Sequence, residues 1–152
     1  MSQNLKEKSL LPDAQATSEI SGATGDAGLD ERILMALRAA AEKKALDLVV
    51  LDLRSVASFT DFFVITSGTN RRQVQAISDG VVEHLKKNGK RAARVEGYQT
   101  AEWILVDYGD FILHVFDEKA RRFYDLERLW REAVRVVVPP DKIGAAGSLR
   151  EK

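Results

Sequence analysis

The sequence predicts an α/β fold in which a mixed β-sheet is flanked by α-helices. Three observations carry that prediction. Segments of helical period and short β-branched runs follow one another in the order α, β, β, α, β, β, β, α; hairpin-length links join neighbouring strands; and one helical segment stands between strands as a crossover. At 152 residues, with 45% apolar and 30% charged residues, the chain has the size and composition of one globular domain. The expected boundaries are a flexible tail over 1–28, a domain over 29–138 and a second flexible tail over 139–152.

Bulk chemistry removes several function classes. The chain has no cysteine, so disulfides, thiolate zinc sites and a Cys nucleophile are excluded. Its 23 basic and 23 acidic residues balance, so the broad positive field of a DNA-binding protein is missing, although a local basic patch is compatible with that balance. No apolar run approaches the roughly 18 residues that cross a bilayer, and "MSQNLKEKSLLPDAQ" lacks the apolar core of a signal peptide. No membrane contact is expected, and a cytoplasmic location is.

The elements follow in order. Residues 1–28 are rich in Ser, Ala, Gly, Thr and Gln, and "SGATGDAG" reads as linker. "DERILMALRAAAEKKA" sets Ile33, Leu34, Leu37, Ala40 and Ala41 at helical spacing behind Asp30 as N-cap. "LDLVVLDLR" and "FFVITSGT" are β-branched runs that read as buried strands. In "NRRQVQAISDGVVEHLKKNGK" the residues Val74, Ile77, Val81 and Leu85 form one stripe, Asn70 and Gln73 have capping-box spacing, and Gly89 marks the stop. "ARVEGY" is a short strand, "EKARRFYDLERLWREAV" reads mostly as helix, with Leu126, Leu129 and Trp130 covering the sheet, and "PPDKIGAAGSLREK" is a Pro- and Gly-containing tail.

The remaining pair of strands lies in "WILVDYGDFILHVFD", Trp103 to Asp117. Tyr108 and Gly109 are taken as the hairpin loop, which sets Asp107 opposite Asp110, Leu105 opposite Ile112 and Trp103 opposite His114. Ile104, Val106, Phe111, Leu113 and Val115 then share an apolar face for the core, and Trp103, Asp107, Asp110 and His114 lie on the other. Four residues separate His114 from Asp110, about 13 Å along a strand, too far for one metal ion. Asp107 and Asp110 stay neighbours at the tip, where paired carboxylates are more often solvated than metal-bound. No metal or cofactor site is assigned. The Trp103 and His114 pair either lies under a helix or loop or forms an exposed contact patch.

Other candidates are weaker. "SGTNRR" precedes a helix N-terminus that suits an anion, but neither a Walker pattern nor GxGxxG is present. Asp61 lacks a same-face partner acid on its strand, since its neighbours two on either side are Phe59 and Phe63. "KKNGKRAAR" reads either as a solvated helix end or as an RNA footprint, the former being the commoner.

Three blocks together resemble the ribosomal silencing factor family, RsfS, also called Iojap: "TDFFVITSGTNRRQVQAISDGV", "EGYQTAEWILVDYGDFILHVF" and "RRFYDLERLW", covering about Asp30 to Trp130. The resemblance implies a nucleotidyltransferase-like fold and a non-enzymatic regulator. Such a regulator binds the large ribosomal subunit through large-subunit ribosomal protein fourteen, blocks subunit joining and lowers translation when nutrients are short. A homodimer is also implied. The family docking surface maps here to Trp103, Asp107, Tyr108, Asp110 and His114, with Arg121 and Tyr124 added. Acids suit a basic ribosomal protein, and Trp103 with Tyr108 suits a desolvated centre. Two alternatives are a nucleotidyltransferase-like enzyme and an RNA-binding assembly module. Against the enzyme, "ASFTDFF" puts Ala57 at the turn glycine and Phe63 at the second metal-binding acid.

Overall fold

The computed structural model describes residues 29–144, so the tail expected over 1–28 and residues 145–152 lie outside the described part. Helix α1 (Glu31–Glu42) is followed by strands β1 (Leu46–Asp52) and β2 (Phe62–Gly68), helix α2 (Arg71–Lys87), and strands β3 (Arg94–Glu96), β4 (Trp103–Asp107) and β5 (Phe111–Asp117). Two short helices, α3 (Glu118–Tyr124) and α4 (Leu126–Leu129), precede strand β6 (Val134–Val136) and a 3-10 turn (Pro140–Lys142). The sheet order is β3-β4-β5-β2-β1-β6, with β2 and β5 parallel and every other neighbouring pair antiparallel. This is the predicted mixed sheet. Its parallel centre, β2 and β5, is buried almost without a break, as a strand pair covered on both faces requires.

Helices α1 and α2 cover one face. Asp30 caps α1 by accepting from the Ile33 N–H at 3.1 Å, and Asn70 caps α2 by accepting from the Gln73 N–H at 2.8 Å. The expected reciprocal bond of a capping box is displaced by one residue, because the Gln73 side-chain oxygen accepts from the Thr69 N–H instead. Gln73 also donates to the carbonyls of Lys43 and Lys44, joining the end of α1 to the start of α2. The stripe Val74, Ile77, Val81 and Leu85 is buried with Ile33, Leu37, Ile104, Val106, Phe111, Leu113 and Val115 in one cluster, as the periodicity predicts.

Two elements differ from the sequence reading. The final helix is broken: Asp125 adopts left-handed geometry (φ 49°, ψ 53°) between α3 and α4, and the chain then forms β6 against β1. Val134 and Val136 are β-branched and find an open strand edge, which outweighs the helical period before them. Val138 and Ile143 are buried in the first cluster, so packing continues past residue 138, into the segment expected as tail.

The hairpin register is displaced by two residues. Asp107 faces Ile112, Leu105 faces His114 and Trp103 faces Phe116, and the Tyr108 N–H donates to the Phe111 carbonyl at 2.9 Å. The loop is therefore Gly109 and Asp110, with Gly109 at φ 90° in the first central position that a type II′ turn reserves for glycine. A displacement of two keeps every side chain on its predicted face. It also draws Tyr108 into the core, where its ring stacks on Phe111 at 4.8 Å.

Candidate docking surface

The second sheet face is covered less completely. Its buried cluster holds Val49, Leu51, Phe63, Ile65, Ile112 and Phe116 under Leu126 and Ala133, with Trp103, Leu105 and Trp130 packed against it and only partly buried. The two covering helices have seven and four residues. Neither is long enough to be stable without tertiary contacts.

A buried ion pair supplies those contacts. Arg121 grips Glu127 with two donors, Nε to Oε1 at 3.2 Å and Nη2 to Oε2 at 3.1 Å, and its Nη1 donates to Ser67 Oγ (3.2 Å) and the Leu46 carbonyl (3.4 Å). Arg135 of β6 approaches the same carboxylate at 3.6 Å. One guanidinium thus ties α3, α4, β1 and β2 together, so Arg121 is corrected from a partner contact to an internal anchor.

From this frame an aromatic chain runs across the face. Phe59 and Trp130 both pack on Phe63 (6.1 and 5.7 Å between centroids), Phe63 meets His114 edge-on at 4.3 Å, and Trp103 contacts Phe116 (4.9 Å) and Tyr124 (4.8 Å), which in turn touches Phe123 (5.0 Å). The outer members emerge from the protein: Phe59 is 48% exposed, Tyr124 46% and Phe123 79%; Leu129 of α4 is also exposed, at 64%. Phe123 and Tyr124, exposed and in contact beside half-buried Trp103, with Phe59 exposed beside Trp130 at the other end of the aromatic chain, are apolar groups of the kind that mark a contact surface. Leu129 was expected to cover the sheet; only Leu126 is fully buried there, with Trp130 half-buried.

His114 lies beneath this chain and does not reach solvent. Its Nδ1 accepts from Trp103 Nε1 at 3.0 Å, which places the proton of the neutral ring on Nε2, where it has no hydrogen-bond partner among the described residues. Burial pushes the imidazole down to about 3, so it is uncharged at neutral pH and orients the indole. Trp103 is also fixed from behind. A Cβ on Gly97, which has φ 80°, would lie 2.1 Å from the Trp103 carbonyl oxygen, so only glycine fits there.

The tip acids are already engaged. Asp107 is half-buried, accepts from the Gly109 N–H at 2.8 Å and is approached by Arg94 at 3.4 Å. Asp110 is exposed and pairs with Arg32, which also binds Asp30 at 2.7 Å and so links α1 to the hairpin. Of the seven residues expected at the surface, Trp103, Tyr124, Asp107 and Asp110 reach it. Tyr108, His114 and Arg121 are buried and are corrected to supports, Tyr108 because the displaced turn makes it a core-facing strand residue whose phenol burial pushes up to about 12. Phe59, Phe123 and Leu129 were missed as surface residues. The adjacent bulky pair Phe123 and Tyr124, which one face of a seven-residue helix cannot bury together, was the available signal.

Asp61 has its carboxyl raised by partial burial and by the charge of Asp110, against Arg54. Among the described residues no three His, Asp or Glu side chains converge to hold a metal ion, and no helix is long and apolar enough to cross a membrane.

Fold and surface together define an α/β domain with one helix-covered sheet face and one partly open aromatic face. A family model described as "Ribosomal silencing factor during starvation", RsfS, matches residues 27–151, and the chain belongs to that family. It is 38% identical over 106 residues to the ribosomal silencing factor RsfS of Halalkalibacterium halodurans, covering 70% of this chain and 91% of that protein. It is 36% identical to the Bacillus subtilis protein of the same name, over 69% and 91%. A crystal structure from Chromobacterium violaceum superposes with a TM-score of 0.65 at 34% identity, covering 66% of this chain and 84% of that one.

Two outcomes test the architecture. Arg121→Ala removes the two-donor grip on Glu127 and leaves Arg135, at 3.6 Å, beside that carboxylate, and it is expected to cost about 2–3 kcal/mol in urea unfolding; a loss below about 1 kcal/mol, the range of a surface pair, contradicts the anchor. His114 has a lower pKa folded than unfolded, so between about 3 and 6.5 the unfolded chain binds the extra proton and stability falls as pH drops. His114→Gln, which keeps an acceptor for Trp103 and does not titrate, is expected to flatten the fall in Tm between pH 6.5 and 4.5. Parallel curves for the two proteins would refute the buried neutral imidazole.

Proposed function

We propose that this protein is a non-enzymatic translational repressor of the cytoplasm. It docks on the large ribosomal subunit through large-subunit ribosomal protein fourteen, sterically prevents the small subunit from joining, and acts when nutrients are limiting. The observation that carries this reading is the open aromatic face, Trp103 flanked by Tyr124 and Phe123 with Phe59 at the other end, on a fold of the ribosomal silencing factor family. Tryptophan and tyrosine in a desolvated centre are the residue types that dominate binding energy at interfaces. Asp107 and Asp110 at its border supply negative charge for a basic ribosomal protein, setting register and association rate more than affinity.

The non-enzymatic reading is supported by Phe63. It occupies the position of the second acid of a nucleotidyltransferase and is buried against His114 and Trp130, so the carboxylate pair that holds magnesium in such enzymes has no counterpart there. The same open face supports a homodimer, since a second copy offers a matching apolar surface.

In a light-scattering assay of purified subunits, saturating protein is expected to slow association, and Trp103→Ala to weaken the effect by roughly 30-fold or more in apparent affinity while the domain stays folded. Normal joining at saturating wild-type protein overturns the reading.

A further inference from the structure

Between Glu83 and Arg94 the chain carries five cationic side chains, Lys86, Lys87, Lys90, Arg91 and Arg94, against the single acid Glu83, in a protein whose net charge is zero. Arg94 is engaged internally, by Glu96 at 3.1 Å and Asp107 at 3.4 Å. The other four make no ion pair among the described residues, although Glu83 stands one turn before Lys87. Arg32, Arg38, Arg54, Arg121 and Arg135 have carboxylate partners, while Arg71, Arg72, Arg122, Arg128 and Arg131 also lack an ion pair among the described residues; what sets Lys86, Lys87, Lys90 and Arg91 apart is their closeness in the chain with no acid between them. The dipole of α2 favours cations in its last turn, which accounts for Lys86 and Lys87. Lys90 and Arg91 lie beyond the helix, where that attraction fades.

The backbone that carries these four cations is held in place. Gly89 has φ 86°, its N–H donates to the Lys86 carbonyl at 3.0 Å, and the Lys90 N–H donates to the Leu85 carbonyl at 2.8 Å, the two bonds of a Schellman cap. The Ala93 N–H then donates to the Asp107 carbonyl at 2.7 Å, which holds the segment against the hairpin end of β4. Lys86, Lys87 and Arg91 are exposed. The segment follows a helix of the covered side of the sheet and reaches the hairpin end of β4, the end opposite Trp103, so it is separate from the aromatic face.

We infer that Lys86, Lys87, Lys90 and Arg91 form a second contact surface, which binds RNA phosphates of the large ribosomal subunit apart from the docked aromatic face. The source of the RNA rests on the ribosome-docking reading above. Residues 83–94 include no Phe, Tyr or Trp on which a base would stack, and flexible ammonium groups act as point charges. Backbone recognition without base readout is the mode that fits. Two contacts on one rigid body also fix the orientation of the docked protein, which a single apolar patch at the edge of a sheet does less well.

The test compares the full chain with a Lys86→Ala, Lys87→Ala, Lys90→Ala, Arg91→Ala variant in two arms, binding to purified large subunits and to isolated large-subunit ribosomal protein fourteen, each across a salt titration. All four positions lie outside the core, so folding is expected to be retained, and an unchanged circular dichroism melt checks it. The expected result is at least ~10-fold weaker subunit binding at low salt, a salt dependence of log K shallower by about two to four, and unchanged binding to the isolated protein. Equal affinity and equal slope on subunits overturn the inference. Equal losses in both arms also overturn it, because they assign the patch to a protein partner. If the wild type fails to bind the isolated ribosomal protein but binds subunits in a salt-dependent way that the variant loses, the docking partner is wrong and the RNA contact stands.

Discussion

The Arg121 and Glu127 pair is the interaction on which the open face depends. Two helices of seven and four residues have little intrinsic stability, and a left-handed residue, Asp125, separates them. A bidentate guanidinium, anchored at its far side by Ser67 and Leu46, fixes both helices to the end of the sheet. Everything displayed above them inherits that geometry: Tyr124 against Trp103, Trp103 over His114, Phe123 outward. A buried charge pair is a costly way to gain stability compared with apolar packing, but it specifies one arrangement and leaves apolar area free for contact.

The two sheet faces divide the work. Two long amphipathic helices bury the first face, and an alanine-rich α1 lets α2 approach closely at Gly80, whose added Cβ would meet the Lys43 side chain at 3.1 Å. The second face has only short covers, and its uncovered remainder is aromatic. The charges follow the same division, with acids at the hairpin tip and unpaired cations at the end of α2 beside it. Neutral net charge therefore hides a local asymmetry, visible only once the Schellman turn at Gly89 and the hairpin tip are placed together.

Much of the fold was legible because its determinants are local. The caps at Asp30 and Asn70, the stripe from Val74 to Leu85 and the alternation from Ile104 to Val115 each depend on residues close in sequence, and the structure contains each of them. The hairpin faces survived an error in the loop because displacement by two preserves parity, whereas Tyr108 changed from surface to core with it. Strand β6 was missed because its stability comes from pairing with β1, far away in sequence. The site was half legible. Trp103 and Tyr124 reach the surface, but burial of His114 and Arg121 depends on α3 and α4 folding back over the sheet, which no local spacing encodes.

The central proposal is that the aromatic face, and not the helical one, meets large-subunit ribosomal protein fourteen. A photoreactive group placed at Phe123, the most exposed member of that face, and another at Glu83 on the exposed side of α2, address it directly when each protein is mixed with purified large subunits. The account predicts that the Phe123 probe crosslinks to large-subunit ribosomal protein fourteen and that the Glu83 probe does not. Crosslinking of that ribosomal protein from Glu83, with none from Phe123, would contradict it.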